Sequence, residues 1–348
     1  MGILKTITEE YFGETVRKED MVNIDGLDVE IVSFTDNNKK YHGRGYKPKD
    51  LKNLKELLER MIEKRGSEGD FNDIDTSDIK SMKSLFENNE TFNGDITGWD
   101  VSNVEDMERM FHRAKSFNQL IGNWNVSKVT SMTNMFCNTS FNQPIGNWDI
   151  SRVTNMYGMF YFAKSFNQPI GDWNVSNVKN MVSMFFGADL FNQPIGNWNV
   201  LNVENMNCMF SDAQSFNQPI GNWDVSSVKD MGFMFSGAIS FNQPIGNWNV
   251  SNVTNMGYMF SDAELFNQHI GDWDVSKVTD MGDMFWTAKS FNKPIGNWNV
   301  SNVTNMKHMF LYATSFNQDL SKWDLTEKVT KNMFKNCPIK DKYKPKME

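Results

Sequence analysis

A Phe-Asn pair returns about once every 25 residues through most of this chain, and that period limits the possible folds more tightly than any other feature. The pair begins at Phe92, Phe117, Phe141, Phe166, Phe191, Phe216, Phe241, Phe266, Phe291 and Phe316. Every interval is 25 residues except the 24 between Phe117 and Phe141. The unit reads F-N-Q-P-I-G-N-W-(N/D)-V-S-N-V-x-(N/D)-M-x-x-M-F-x-x-A-x-S. Ten of the 11 Trp hold its eighth position, from Trp99 to Trp323, and 18 of the 24 Met fill two fixed positions, as Met181 and Met184 do. The aromatic- and Met-rich composition is therefore the repeat counted many times. Self-similarity at this period marks a repeat architecture, in which a unit too small to bury its own apolar face stacks on its neighbours.

Within the copy that starts at Phe241, the positions Val253, Met256, Met259, Phe260 and Ala263 are spaced as on one face of a helix, which predicts a short helical return with Ser251 or Asn252 as its N-cap. Trp248-Asn249-Val250 alternates apolar and polar residues and predicts a very short strand, with strands of successive units about 4.8 Å apart. Pro244 and Gly246 punctuate the loop before it. The Asn after each Phe (Asn167, Asn192, Asn217, Asn242) predicts a buried ladder of side-chain amides, each able to donate to and accept from the next unit.

The ends depart from the pattern, as caps do. Residues 1–70 predict a small α+β cap. Val29 to Thr35 with a turn at Asp36-Asn37-Asn38 suggests a hairpin, and Leu51, Leu54, Leu57, Leu58, Met61 and Ile62 form the apolar face of a helix with Asp50 as N-cap and Gly66 as C-cap. Residues 71–334 carry the repeats, opening with a shortened unit whose Ile74, Ile79, Met82, Leu85 and Phe86 stand at core positions. The array closes with a distorted unit built on Trp323, Leu325, Val329, Met333 and Phe334. Residues 335–348 are a basic tail, Lys340 to Lys346, expected to be solvated.

Several function classes are disfavoured. A net charge of −8 and a pI near 5.2 repel phosphate backbones, so no nucleic-acid partner is expected. Cys137, Cys208 and Cys337 fall at different places in the unit and make neither a disulfide framework nor a zinc site. His42, His112, His269 and His308 have no ligand or triad spacing, with His42 read as part of a turn, and no phosphate-binding or nucleophile motif appears. No catalytic residue, cofactor or metal is predicted, and the chain reads as a non-enzyme. It has neither a secretory leader nor an apolar run long enough to span a bilayer, which favours an intracellular or virion-associated setting. Asp100, Asp149, Asp224, Asp274 and Asp324 follow the Trp where other units have Asn. They suit turn capping better than cation binding.

The variable residues of M-x-x-M-F-x-x-A are expected to point away from the core. They include Tyr157, Tyr161, Phe162, Phe186, Phe233, Tyr258, Trp286 and Tyr312, and clustered exposed aromatics mark interaction sites. Shielding by neighbouring turns is the competing reading.

The stretch Phe241 to Ala263 resembles the repeats of the BspA-like leucine-rich-repeat surface proteins, and the likeness covers residues 71–334. Leu201, His269 and Lys293 depart from the usual Ser, Pro and Gln. The resemblance implies a repeat solenoid, a leucine-rich-repeat-like coil of short strands and helical turns, and a role in adhesion or protein–protein interaction. The expected function is a scaffold that presents a repeat surface to a protein partner, with a self-associating structural or adhesive protein of a cell or virion as the alternative.

Overall fold

The computed structural model describes residues 21–24, 27–34 and 43–347. The expected turn at Asp36-Asn37-Asn38 and His42 lie outside them. Strands β1 (Met21–Ile24), β2 (Leu27–Phe34) and β3 (Gly43–Lys47) form an antiparallel sheet in the order β1-β2-β3, with Val22 opposite Val29 and Val32 opposite Gly45. Helix α1 (Leu51–Arg65) follows. The Asp50 carboxylate accepts from the Asn53 N–H at 2.8 Å, and Gly66 ends the helix at φ 82°. Leu54, Leu57, Leu58 and Met61 are buried against the first unit.

Two devices join this cap to the repeats. Tyr46 on β3 donates its N–H to the Asp73 carbonyl and accepts from Asp75, both at 2.8 Å, so the sheet edge runs into the first unit. Arg65, at the end of α1, grips both carboxylate oxygens of Asp73 at 2.8 Å and donates to the Asp70 carbonyl, its guanidinium lying 5.8 Å from the centre of the Phe71 ring.

Beyond the cap, each unit repeats the same arrangement. From Phe92 to Phe310 the Phe, Ile, Trp, Val and Met of the pattern are almost wholly buried in every copy. Their rings stack on their own counterparts: Phe160 on Phe185 at 5.6 Å, Phe166 on Phe191 at 6.1 Å, Trp198 on Trp223 at 6.4 Å with planes 2° apart. Offset stacking adds to the burial of large apolar faces. From Trp148 to Trp298 each indole finds an acceptor in an Ile carbonyl of the preceding unit, whereas the Trp124 and Trp323 indole N–H groups are buried without one. Trp148, Trp173 and Trp198 donate Nε1–H to the carbonyls of Ile121, Ile145 and Ile170 at 3.1–3.2 Å. The Gly after that Ile is forced by proximity, since a Cβ on Gly196 would lie 2.4 Å from the Pro219 carbonyl oxygen.

The expected helical return is not a helix. From Met156 to Ala163, alternate amides face opposite ways. Met156, Gly158, Phe160 and Phe162 donate to Asn180, Val182, Met184 and Phe186 of the next unit at 2.7–3.0 Å. Between them, Met159, Tyr161 and Ala163 donate three residues back, to Met156, Gly158 and Phe160, at 3.0–3.2 Å. Gly158 and Phe162 have φ of 57° and 51°, as the third residue of a type II turn requires. The segment is thus a chain of turns with a four-residue period, and that period mimics the helical spacing of Met, Met, Phe and Ala. A helix would spend every amide internally; this backbone spends half of them on its neighbour.

The expected strand at Trp248-Asn249-Val250 is likewise absent. Parallel pairing falls a few residues later, running Asn155, Asn180, Asn205, Asp230, Asn255 through successive units. Ser251 and Asn252 cap no helix: the Ser251 amide bonds the Asn249 side chain, and the Asn252 amide bonds the Ser226 carbonyl. The Asn ladder exists but is half-buried rather than buried. Asn167, Asn192, Asn217 and Asn242 each donate a backbone N–H to the side-chain oxygen of the Asn one unit earlier at 3.0 Å, and the following Gln clamps the same Asn.

The 24-residue unit is accommodated by one hydroxyl. Elsewhere the Ala N–H reaches back to the Phe carbonyl and the Ala carbonyl accepts from the next Phe, as at Phe160, Ala163 and Phe166. In the short unit Thr139 Oγ1 donates to the Phe136 carbonyl at 2.9 Å and accepts from the Phe141 N–H at 3.4 Å, standing in for the missing peptide.

The C-terminal tail is not a solvated extension. Leu320 donates to the Tyr343 carbonyl at 2.8 Å, Leu325 to Lys346 at 3.0 Å and Lys340 to the Asn317 side chain at 3.0 Å, while Ile339 is buried. The tail imitates one more unit and covers the last rings. Val329, expected in the core, is 53% exposed, because its backbone continues the ladder while its side chain faces out.

Candidate interaction surface

The chain of turns gives the array one face whose backbone is fixed and whose side chains vary. In M-x-x-M-F-x-x-A, the second and fourth variable residues have left-handed φ in every unit from Met82 to Met306. The four positions do not all point outward, contrary to the sequence reading. The third packs between neighbouring turns: Cys137, Ser211, Ser261 and Leu311 there are buried, and Tyr161, Phe186 and Trp286 are half-buried.

The eight aromatics therefore do not form one patch. Tyr161, Phe162 and Phe186 come together, with ring centres 4.8–5.2 Å apart, and Tyr157 of the same unit stands exposed beside them. The Phe162 ring lies where a Cβ on Gly187 would be, 2.5 Å from its nearest carbon, so the glycine seats the ring. Phe233 and Tyr258 form a second, separate stack at 4.4 Å. Trp286 and Tyr312 make no ring contact among the described residues; Tyr312 is 45% exposed, and the Trp286 indole N–H is buried without an acceptor.

Charged groups on this face escaped the sequence reading, because their partners lie one unit apart. Glu87 holds Arg109 at 2.7 Å and approaches His112 at 3.4 Å. Burial, with Arg109 next, pushes the His112 imidazole below its ordinary value. Asp283 meets His308 Nδ1 at 3.1 Å. Asp212 is raised, first by partial burial and then by Asp189 and Asp262. The signal was present as charges at the variable positions of neighbouring units, but it is visible only once units are written one above another.

The remaining chemistry is structural. Asp100, Asp149, Asp224, Asp274 and Asp324 accept the N–H two residues on at 3.0–3.1 Å, closing the same turn that Asn174 and Asn249 close. Hydrogen bonds from Ser151, Ser226 and Ser276 hold Asp149, Asp224 and Asp274 below the usual carboxylate value. Burial pushes the Cys208 and Cys337 thiols up to about 11. Among the described residues no cluster of His, Cys, Asp or Glu is arranged to hold a metal, and no helix is long and apolar enough to cross a membrane.

The repeat array matches a protein family, described as Mycoplasma protein of unknown function, DUF285, over residues 52–170, 137–246 and 234–344. The chain belongs to this family. The three overlapping matches tile the chain from α1 to the folded tail. No curated protein and no solved structure matches the chain.

Proposed function

We propose that this DUF285 protein is a non-enzymatic scaffold, a leucine-rich-repeat-like solenoid whose turn face is offered to a protein partner. One observation carries the reading. Phe162, Phe233, Tyr258 and Tyr312 hold left-handed positions that sister units give to Asn138, Gly187, Asp212, Gly237 or Asn134. That conformation costs an ordinary L-residue on the order of 1 kcal/mol and suits Gly, Asn and Asp. Phe233 and Tyr312 repay little of this by burial, being 37% and 45% exposed. Large rings kept at a backbone position that disfavours them, and half in water, are what a recognition surface requires.

The rest of the face supports a binding role over chemistry. The Cys208 and Cys337 thiols are protonated at neutral pH. The imidazoles of His112 and His308 bond Arg109, Asp283 and Asn332, with no hydroxyl or thiol among the described residues placed for them to activate.

The test borrows its substitutions from sister units, so that the fold is already known to accept them. Tyr157→Asn copies Asn207, Tyr161→Ser copies Ser211, Phe162→Asn copies Asn138, and Phe186→Ser again copies Ser211. Affinity capture from the native source with wild-type chain and with this fourfold variant is expected to yield proteins retained by the first and lost by the second. Identical retention would refute the aromatic surface.

A further inference from the structure

On the turn face the fourth variable position forms a continuous row. Each of its amides donates to the next unit, Arg113 to Cys137, Asn138 to Tyr161, Phe162 to Phe186, Gly187 to Ser211 and Asp212 to Ser236, at 2.6–2.8 Å. Arg113, Asn138, Phe162, Gly187 and Asp212 are therefore successive rungs. Phe162 stands two rungs from the cation and two rungs from the carboxylate.

Neither charge is paired with an opposite charge among the described residues. Arg113 is exposed and makes no ion pair with a described residue, although Lys115 two residues on is held by Glu90 at 2.7 Å. Asp212 is exposed on the same row and has no cationic partner among the described residues, whereas Asp189 nearby has Lys164 at 3.4 Å. Burial first, then the carboxylates of Asp189 and Asp262, raise the Asp212 pKa, so a cation brought against it would be favourable.

These positions have a symmetry. A two-fold axis lying in the face, across the stack at the Phe162 unit, reverses the order of units and keeps each row on itself. It sets Tyr157, Tyr161 and Phe162 against their own copies, and it sets Arg113 of each chain against Asp212 of the other. An isologous contact needs a self-complementary surface, with an apolar centre and charges of opposite sign at equal distances on either side. We propose that the partner of this face is a second copy of the chain, docked antiparallel about Phe162, with two reciprocal Arg113–Asp212 ion pairs flanking the aromatic centre. The proposal rests on the turn face being the binding surface, and names its occupant.

The decisive experiment is a charge-swap series on the full purified chain, read by analytical ultracentrifugation. Wild type is expected to dimerise. Arg113→Asp alone and Asp212→Lys alone each create two like-charge contacts per dimer and are expected to weaken it about tenfold or more, increasingly so at low salt. The double variant R113D/D212K is expected to return to near wild-type affinity. An equimolar mixture of the two single variants is expected to form a heterodimer tighter than either homodimer, because every pair across it is then opposite in sign. A wild type that stays monomeric overturns the second-copy assignment, and leaves the capture experiment to decide on the face itself. A dimer indifferent to both reversals overturns this register. One that also survives Tyr157→Asn, Tyr161→Ser and Phe162→Asn overturns self-association through this face altogether.

Discussion

The ring column inside the array and the turn face outside it share one backbone and one period, yet they obey opposite rules. Inside, Met181, Met206, Met231 and Met256 succeed one another without change, all with no exposure. On the turn face, at the fourth variable position, Arg113, Asn138, Phe162 and Gly187 succeed one another, all four different. A side chain that packs on its own copy above and below must match that copy in volume and shape, because protein interiors tolerate little change of either. A side chain on the turn face is constrained through its backbone instead, by an inter-unit amide bond and a left-handed φ. The repeat therefore fixes geometry and leaves chemistry free, and function is to be sought where the pattern says x.

The sharpest contrast comes from deleting a ring on each side. Phe185→Ala removes a side chain stacked at 3.9 Å on Phe191 and at 5.6–5.7 Å on Phe160 and Phe210, and is expected to destabilise the array by about 3–5 kcal/mol in chemical denaturation. Tyr312→Asn, on the outside, is expected to stay within about 0.5 kcal/mol of wild type. Equal losses would erase the distinction between column and face.

The cap tests whether the column needs its ends closed. Arg65→Met strands the Asp73 carboxylate, whose side chain is 15% exposed, and is expected to cost about 3 kcal/mol by the same measurement. Next in size, Thr139→Val keeps the shape but leaves the Phe136 carbonyl and Phe141 N–H without the hydroxyl that joins them, a loss of about 1–3 kcal/mol.

The smallest effect concerns the turns after each Trp. Asp149, Asp224 and Asp274 are held below 3.8 in the folded chain, so they add stability above that value and lose it as pH falls through their folded values. Their own share of the stability is expected to fall away only below about pH 4, and Asp224→Asn is expected to leave stability at pH 7 unchanged, since Asn174 and Asn249 close the same turn. A substantial loss at pH 7 would mean that the carboxylates do more than cap.

Much of the column was legible in the sequence, because apolar identity at fixed spacing is a direct imprint of packing. Trp, Met and Phe at fixed places announced a core, and Asp50 and Gly66 bounded α1. The backbone path was not legible. A four-residue run of turns and a 3.6-residue helix place Met256, Met259, Phe260 and Ala263 alike on one side, and only the destination of alternate amides separates them. The recurrence of Gly, Asn and Asp at Gly158, Asn138, Asp212 and Gly237 was the available clue to left-handed φ. The tail misled for a different reason: Lys340 to Lys346 looks solvated by composition, but the last unit offers it a ready row of unpaired backbone groups. On the turn face, the aromatic list was readable but its division into a trio, a stack and isolated rings was not, because it depends on which neighbouring positions carry Gly187 or a buried Ser211.

A crystal structure of the full chain tests the central claim most directly, through the two halves of one unit. Trp198 and Trp223 are expected near 6.4 Å apart with parallel planes, and Ser183 and Gly187 at positive φ while their amides reach Asn207 and Ser211 of the next unit. Indoles set apart from one another, or an unbroken α-helix from Met181 to Ala188, would contradict both the column and the face built upon it.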